Sequence, residues 1–277
     1  MEVTEELLKN IAEQTETLAG RKIIFFFVQG SQNYNLDTPA SDVDCKAFVL
    51  PTFEDLYYGN QYSTTLDFDF GQVTVHDIRM LPDLLFKMNP TYVELFFAKY
   101  VYFPHPELKQ ALEKEIPELL DNAVFFDELF RICKYRFLAS MIGTFNKKIK
   151  EMNSPTPSRK EVVEQYGYDI KSASHAIRYF RLLTLIVSFI REQIHARPYQ
   201  IFASEIRLED ERARNMLLEI KLGQFDKATI LDRLHHEKIY VKAIQDQYEE
   251  LAKKPSEGSL GANLRRGIYR LVKSQLG

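Results

Sequence analysis

Apolar residues recur at helical spacing in the first stretch of the chain and gather into short unbroken or alternating runs in the next. Leu7, Leu8, Ile11, Thr15 and Leu18 lie three or four apart. Thr4 is a suitable N-cap and Gly20 a suitable stop, so a helix is predicted over residues 4–18. Residues 23–28 (IIFFFV) form an apolar run of strand length. A polar loop through Asn33, Asn35, Asp37, Thr38 and Pro39 then leads into a second run, to Leu50, that carries Asp42 and Asp44. Pro51 ends that strand, and residues 53–59 read as a short helical turn or loop. Residues 73–78 (VTVHDI) alternate as a further strand, with Val73, Val75 and Asp77 on one side and Thr74, His76 and Ile78 on the other. Asn89-Pro90 reads as a helix stop and restart with Pro in the first turn, and 99–103 (KYVYF), before Pro104 and Pro106, close this half.

From residue 107 onward the strand signal fades. Segments 107–122, 126–152, 160–195, 204–222 and 227–253 place apolar residues three and four apart, as helices do. Two proline-bearing loops are expected, at 153–158 (NSPTPS) and 254–261 (KPSEGSLG), with an amphipathic last helix over 264–273 (LRRGIYRLVK). The pattern therefore predicts an α+β chain: a sheet-bearing domain over 1–105 and an all-helical domain over 106–277.

Composition narrows the class. The chain has 277 residues, 45% hydrophobic and 27% charged, with a net charge of −3, as expected of a globular protein with ample length for a core. That charge argues against a generic nucleic-acid coat while leaving room for a local basic cleft. Cys45 and Cys133 supply neither a disulfide framework nor zinc spacing, which suits a reducing compartment. With no secretory pattern and no apolar run near the ~20 residues of a membrane span, a cytoplasmic protein without membrane contact is expected.

The chemistry concentrates in residues 30–50, GSQNYNLDTPASDVDCKAFVL. A Gly at the end of a strand allows positive φ and close approach to a ligand, and Ser31 adds a hydroxyl and an N–H for phosphate oxygens. Asp42 and Asp44 are two apart, so in a strand both carboxylates project to one side while Val43 and Cys45 face the other. Paired carboxylates beside a phosphate-binding turn suit Mg²⁺, which completes its coordination with water and substrate phosphates. The plainer alternative is a hairpin or loop with surface acids. Against it, Asp44 lies within an apolar run, where an unpaired charge is costly.

Gly30-Ser31, a nine-residue loop and Ser41-Asp42-Val43-Asp44 resemble the signature of the DNA polymerase β-like nucleotidyltransferase superfamily, in particular bacterial and phage members that read roughly GS-x-x-Y-G-L-x-T-P-x-S-D-x-D. Tyr34, Leu36, Thr38, Pro39, Ser41, Asp42 and Asp44 fit. Asn35 stands where Gly is usual, a mild departure because Asn tolerates left-handed geometry. The resemblance implies a small mixed-sheet nucleotidyltransferase domain followed by the helical domain, which would close the cleft. It also implies a third carboxylate on a neighbouring strand. Asp77 is the candidate, with Asp67 and Asp69 as competitors; Asp77 is equally well read as the N-cap of a helix near Arg79. The family's G-N-P segment and its following Glu match Asn89, Pro90 and Glu94, with Met88 in the place of Gly. Glu94 is read as buried against a basic partner or as the wet side of a helix, a solvated or structural role being favoured.

In the helical half, residues 166–181 read YGYDIKSASHAIRYFR. Lys171, His175 and Arg178 fall at i, i+4 and i+7 on one helix face, suited to gripping a triphosphate, with a solvated basic face as the alternative. The family carries a similar Y-D-x-K-x-x-x-H-x-x-R run, so Asp169, Lys171, His175 and Arg178 correspond by position. Lys147, Lys148 and Lys150 are less specific, and His235-His236 has no carboxylate spacing for a metal.

The expected activity is transfer of a nucleoside monophosphate from an NTP, ATP by prior, to an acceptor (protein, RNA or small molecule), with Mg²⁺ or Mn²⁺ held by Asp42, Asp44 and Asp77. Gly30, Ser31, Ser41, Lys171, His175 and Arg178 would bind the nucleotide, and Asp77 would help remove the acceptor proton. The rival expectation is a nucleotide- or partner-binding module of the same fold without turnover.

Overall fold

The computed structural model describes residues 2–39, 41–154, 159–192, 197–252 and 257–276. They form two compact units: Met1–Phe86 with Thr91–Leu129 and Glu257–Gly277, and Lys87–Pro90 with Phe130–Ser256.

The first unit is built on a five-stranded mixed sheet in the order β3-β4-β2-β1-β5, with β1 Ile23–Gln29, β2 Asp44–Val49, β3 Ser63–Phe68, β4 Gly71–Asp77 and β5 Val101–Tyr102. Helix α1 (Glu5–Ala19) starts at Thr4, whose Oγ1 accepts from the Leu7 N–H at 3.2 Å, and ends at Gly20 with φ +63°. Its Leu8, Ile11, Ala12 and Ala19 belong to one buried cluster with Phe26, Val28, Val43, Cys45, Ala47, Val73 and Val75. One face of the sheet is thereby sealed by apolar burial, the main stabilising term. The hairpin β3–β4 and the pairs β1–β2 and β1–β5 are antiparallel, while β2 and β4 run parallel, with Cys45 beside Val73 and Val49 beside Asp77.

Short helices α2 (Phe53–Tyr57), α3 (Leu81–Phe86) and α4 (Pro90–Val93) follow the strands. The helix expected over 107–122 divides at Ile116-Pro117 into α5 (Pro106–Glu115) and α6 (Pro117–Leu120), as the missing N–H and fixed φ of proline require. Helix α7 (Asn122–Asn153) begins in this unit and continues into the second.

The second unit contains α8 (Lys160–Tyr166), α9 (Ile170–Glu192), α10 (Pro198–Ile206), α11 (Glu211–Lys221) and α12 (Lys227–Ala252). The predicted 160–195 helix is broken at Gly167, φ +78°. Asp169 then starts α9 afresh: its Oδ1 accepts from the Lys171 and Ser172 N–H groups at 3.0 and 3.3 Å. The 204–222 segment likewise divides at Leu208. Residues 155–158 and 253–256, and the end of the helix expected to reach His195, lie outside the described residues. Among the described residues α9 is long and apolar enough to cross a membrane, yet most of that stretch is buried within the protein. Its Phe189 packs with Phe130 of α7 and Phe202 of α10, the three ring centroids 5.2–5.7 Å apart.

The final helix, α13 (Gly258–Leu276), belongs to the first unit and begins inside the loop expected at 254–261. Its Gly261 and Gly267 serve packing rather than termination. A Cβ on Gly267 would stand 2.6 Å from Ile116 Cγ1 and 2.7 Å from the Glu115 carbonyl oxygen.

Candidate active site

The site begins where β1 stops. Gln29 pairs with Asp44 across the β1–β2 ladder, so the chain turns away at Gly30-Ser31 directly beside the residues that enter β2. Gly30 has φ +81°, with nothing within 4 Å of where a Cβ would stand; the turn is open above. Asn33, fully buried, ties it down from behind: its Nδ2 donates to the Val28 carbonyl at 2.8 Å and its Oδ1 accepts from the Lys99 N–H at 3.1 Å. Asn35 has φ +55°, the left-handed geometry anticipated for an Asn in a Gly position. Thr38 and Ser41 close the loop, the Thr38 N–H donating to Ser41 Oγ at 2.9 Å. Ser41 is thus a loop clasp. Ser31 Oγ, by contrast, makes no hydrogen bond among the described residues.

Asp42 is exposed and Asp44 half-buried, flanking the fully buried Val43. Regular strand pairing begins at Asp44, and Asp42 precedes it. Val43 is pinned by its own N–H, which donates to the Phe70 carbonyl at 2.7 Å. Asp42 has no hydrogen bond or ion pair among the described residues, and Asp44 accepts only from the Gln72 N–H, at 3.1 Å. Two neighbouring carboxylates without a paired cation repel each other, and a hard divalent ion relieves that while matching their oxygen donors. The donor set therefore fits Mg²⁺ with water and phosphate completing the shell. No group of three His, Cys, Asp or Glu among the described residues could hold a metal by itself.

The three acids weighed as a third ligand are placed differently. Asp77 stands beside Val49 in the parallel β2–β4 register, five residues and roughly 16 Å along the strand from Asp44. It is fully buried and accepts two 3.0 Å bonds from Arg79 Nε and one of 2.9 Å from the Arg79 N–H. It is the cap of the following turn, and the structure does not bring it to Asp42 and Asp44. Asp69 lies exposed in the β3–β4 turn. Asp67 is at the same end of the sheet as Asp44, with Gln72 between them: the Gln72 side chain donates to Asp67 Oδ1 at 2.7 Å.

Glu94, favoured as a solvated or structural residue, is buried, and its carboxylate accepts from the Gly30 N–H at 3.4 Å. Lys46, which the sequence reading passed over, continues the every-second-residue pattern of Asp42 and Asp44 on the same side of the chain. Its Nζ donates to Thr74 Oγ1 at 2.8 Å, and burial, opposed by Asp44, lowers its pKa. Further along this face His76 joins Ser63 Oγ (3.0 Å) to the Tyr92 hydroxyl (2.6 Å). Burial, and secondly Lys46, pushes His76 down to about 4.

In the second unit Lys171, His175 and Arg178 all lie on α9. Asp169 is its cap and takes the Ser172 hydroxyl at 2.8 Å. Arg178 is buried, with its guanidinium 4.5 Å from the Tyr179 ring centroid. Burial first, then Arg178, Lys148, Lys171 and Lys221, holds His175 well below the usual imidazole range. A cationic neighbourhood drawn from α7, α9 and α11 thus surrounds a neutral imidazole.

Residues 1–259 match the family model RlaP, described as "RNA repair pathway DNA polymerase beta family". No curated protein matches the chain.

Proposed function

The chain belongs to the RNA repair pathway DNA polymerase β family, and on that premise we propose that it is a divalent-metal-dependent nucleotidyltransferase that adds a nucleoside monophosphate from an NTP, ATP by abundance, to a hydroxyl at an RNA end. The observation that carries this reading is the pairing of Gln29 with Asp44, which sets an open Gly-Ser turn beside two carboxylates that make no ion pair among the described residues. The RNA acceptor follows from the family description.

In this reading the acceptor oxygen bonds to the α-phosphorus, the bond from that phosphorus to the α–β bridging oxygen breaks, and pyrophosphate leaves. The hydroxyl proton passes to a carboxylate of the pair and on to water. Such in-line transfer needs positioning and charge neutralisation more than covalent help. Ser31 Oγ and the turn hold the triphosphate. Asp42 and Asp44 hold Mg²⁺, or Mn²⁺ in its place, which supplies charge neutralisation at the phosphates. Lys46 adds a fixed positive charge on the same side of β2. Lys171, His175 and Arg178 are retained as a phosphate-binding candidate of the second unit in its own right.

The test is to incubate the protein with each α-labelled NTP, Mg²⁺ and an RNA with free terminal hydroxyls. Labelled RNA with stoichiometric pyrophosphate supports the reading; unlabelled RNA with every NTP refutes it. One observation favours the rival, a binding module without turnover: no third carboxylate converges on Asp42 and Asp44 among the described residues. Nucleotide binding by calorimetry with no pyrophosphate released would establish it.

A further inference from the structure

The last helix carries a surface that nucleotidyl transfer does not use. Among its 19 residues α13 has four cations, Arg265, Arg266, Arg270 and Lys273, and no carboxylate, in a chain of net charge −3. Arg265 is neutralised by Asp83 and Glu257, at 2.7 and 2.9 Å. Arg266, Arg270 and Lys273 are exposed and make no ion pair among the described residues. At i, i+4 and i+7 they form one stripe about 10 Å long.

Beside the stripe runs a groove of about 370 Å³, lined by Leu56 of α2, Pro82 of α3 and Ile268, Tyr269, Val272 and Leu276 of α13. Flat rings are exposed on α13 and on and just after α2, the helix that gives the groove Leu56. Tyr269 is 64% exposed, and Phe53, Tyr57 and Tyr58, on and just after α2, are 75%, 73% and 66% exposed. Exposed rings on helices next to unpaired cations are the groups that stack bases and contact phosphates.

We propose that this face of the first unit docks a single-stranded polynucleotide, with phosphates along Arg266, Arg270 and Lys273 and bases against Tyr269 and the groove. The proposal rests on the reading of RNA as acceptor and adds where the strand is held. Charge complementarity selects the occupant. Lys273 and Tyr269 line the groove, while Arg266 and Arg270 and the rings of Phe53, Tyr57 and Tyr58 lie outside its lining, which suits a ligand carrying charges and planar apolar groups along its whole length. An acidic amphipathic helix would instead use the groove and leave those rings bare. Arg79 lines the groove two residues beyond Asp77, at the end of β4 opposite the catalytic acids. The surface therefore holds the strand at a distance from its reacting end.

The experiment is fluorescence anisotropy of the full chain with a labelled oligouridylate longer than about 16 nucleotides, without NTP, across a salt series. A DNA of the same length is run in parallel. The variants are Arg266→Glu/Arg270→Glu/Lys273→Glu and, separately, Tyr269→Ser, each checked for an unchanged melting temperature. The triple variant is expected to bind at least tenfold more weakly, with a log-affinity against log-salt slope shallower by about 2. Tyr269→Ser should weaken binding about fivefold or more. Equal loss on RNA and DNA, or loss on RNA alone, both support the surface. Wild-type protein that binds neither strand, variants that bind like wild type, variants that change the oligomeric state instead, or an acidic helical peptide binding where RNA does not, would each overturn it. Asp42→Asn/Asp44→Asn should bind the strand normally, so loss of transfer is read separately from loss of docking.

Discussion

Gly71 presses against Val43: a Cβ built at position 71, where φ is +145°, would lie 2.6 Å from the Val43 carbonyl oxygen and 3.0 Å from its nitrogen. The β3–β4 hairpin can reach the entry of β2 only because position 71 has no side chain, and Val43 is the residue between the two acids. Gly71→Ala is therefore expected to push the backbone of residues 42–44 out of place. Strain of this kind costs on the order of 1–3 kcal/mol, so the melting temperature should drop measurably and pyrophosphate release should fall even in the folded fraction. Gly30→Ala meets open space and carries only the positive-φ cost of about 1–2 kcal/mol. It should lower the melting temperature less than Gly71→Ala does, as differential scanning calorimetry will show.

Asp77 and Asp44 should behave oppositely on substitution. Asp77 is buried against Arg79, and removing one member of a buried ion pair costs about 3–5 kcal/mol. Asp77→Ala should lose stability in urea titrations while activity per folded molecule survives. Asp44→Asn should keep its stability and lose activity. The reverse pattern would return Asp77 to the reacting centre.

Acid should destabilise the fold in two windows. His76 has a folded pKa of about 4 because burial disfavours its charged form, below the unfolded value near 6.5. The unfolded chain thus binds the proton first, so the stability from neutral His76 is present above pH 6.5 and is lost as pH falls from 6.5 toward 4, by at most about 3 kcal/mol. His175, lowered for the same reason, adds in the same direction. Asp55 is held down to about 2, chiefly by the Arg21 side chain. Its contribution is present above its ordinary value and disappears only as pH falls toward 2. Melting temperatures from pH 8 to 3 in wild type and His76→Gln should show the first window shrinking in the variant.

Much of the first unit was legible because local signals there agree with the tertiary structure. Thr4 and Gly20 cap α1 as their chemistry dictates, the apolar runs become β1 and β2, and Asn35 takes the left-handed geometry its place in the motif implied. Strand β3 was not legible: STTLDF is an edge strand that buries no residue fully, so hydrophobicity hardly marks it. The fate of Asp77 was hidden for another reason. Spacing put it on a neighbouring strand, but only the parallel register with β2 shows that it stands beside Val49 and not beside Asp44. Lys46 could have been found by extending the two-residue period from Asp42 and Asp44. The need for Gly267 was not legible because Glu115 and Ile116, which demand its small size, are remote in sequence.

The central claim is that Asp42 and Asp44, beside the Gly30-Ser31 turn, hold the ion that makes the chain a nucleotidyltransferase. Its most direct test is pyrophosphate release in Mg²⁺ by wild type and by Asp42→Asn/Asp44→Asn, matched for melting temperature. The account predicts release by the wild type, with loss of at least about 100-fold in the double variant. Release at the wild-type rate from the double variant would contradict it.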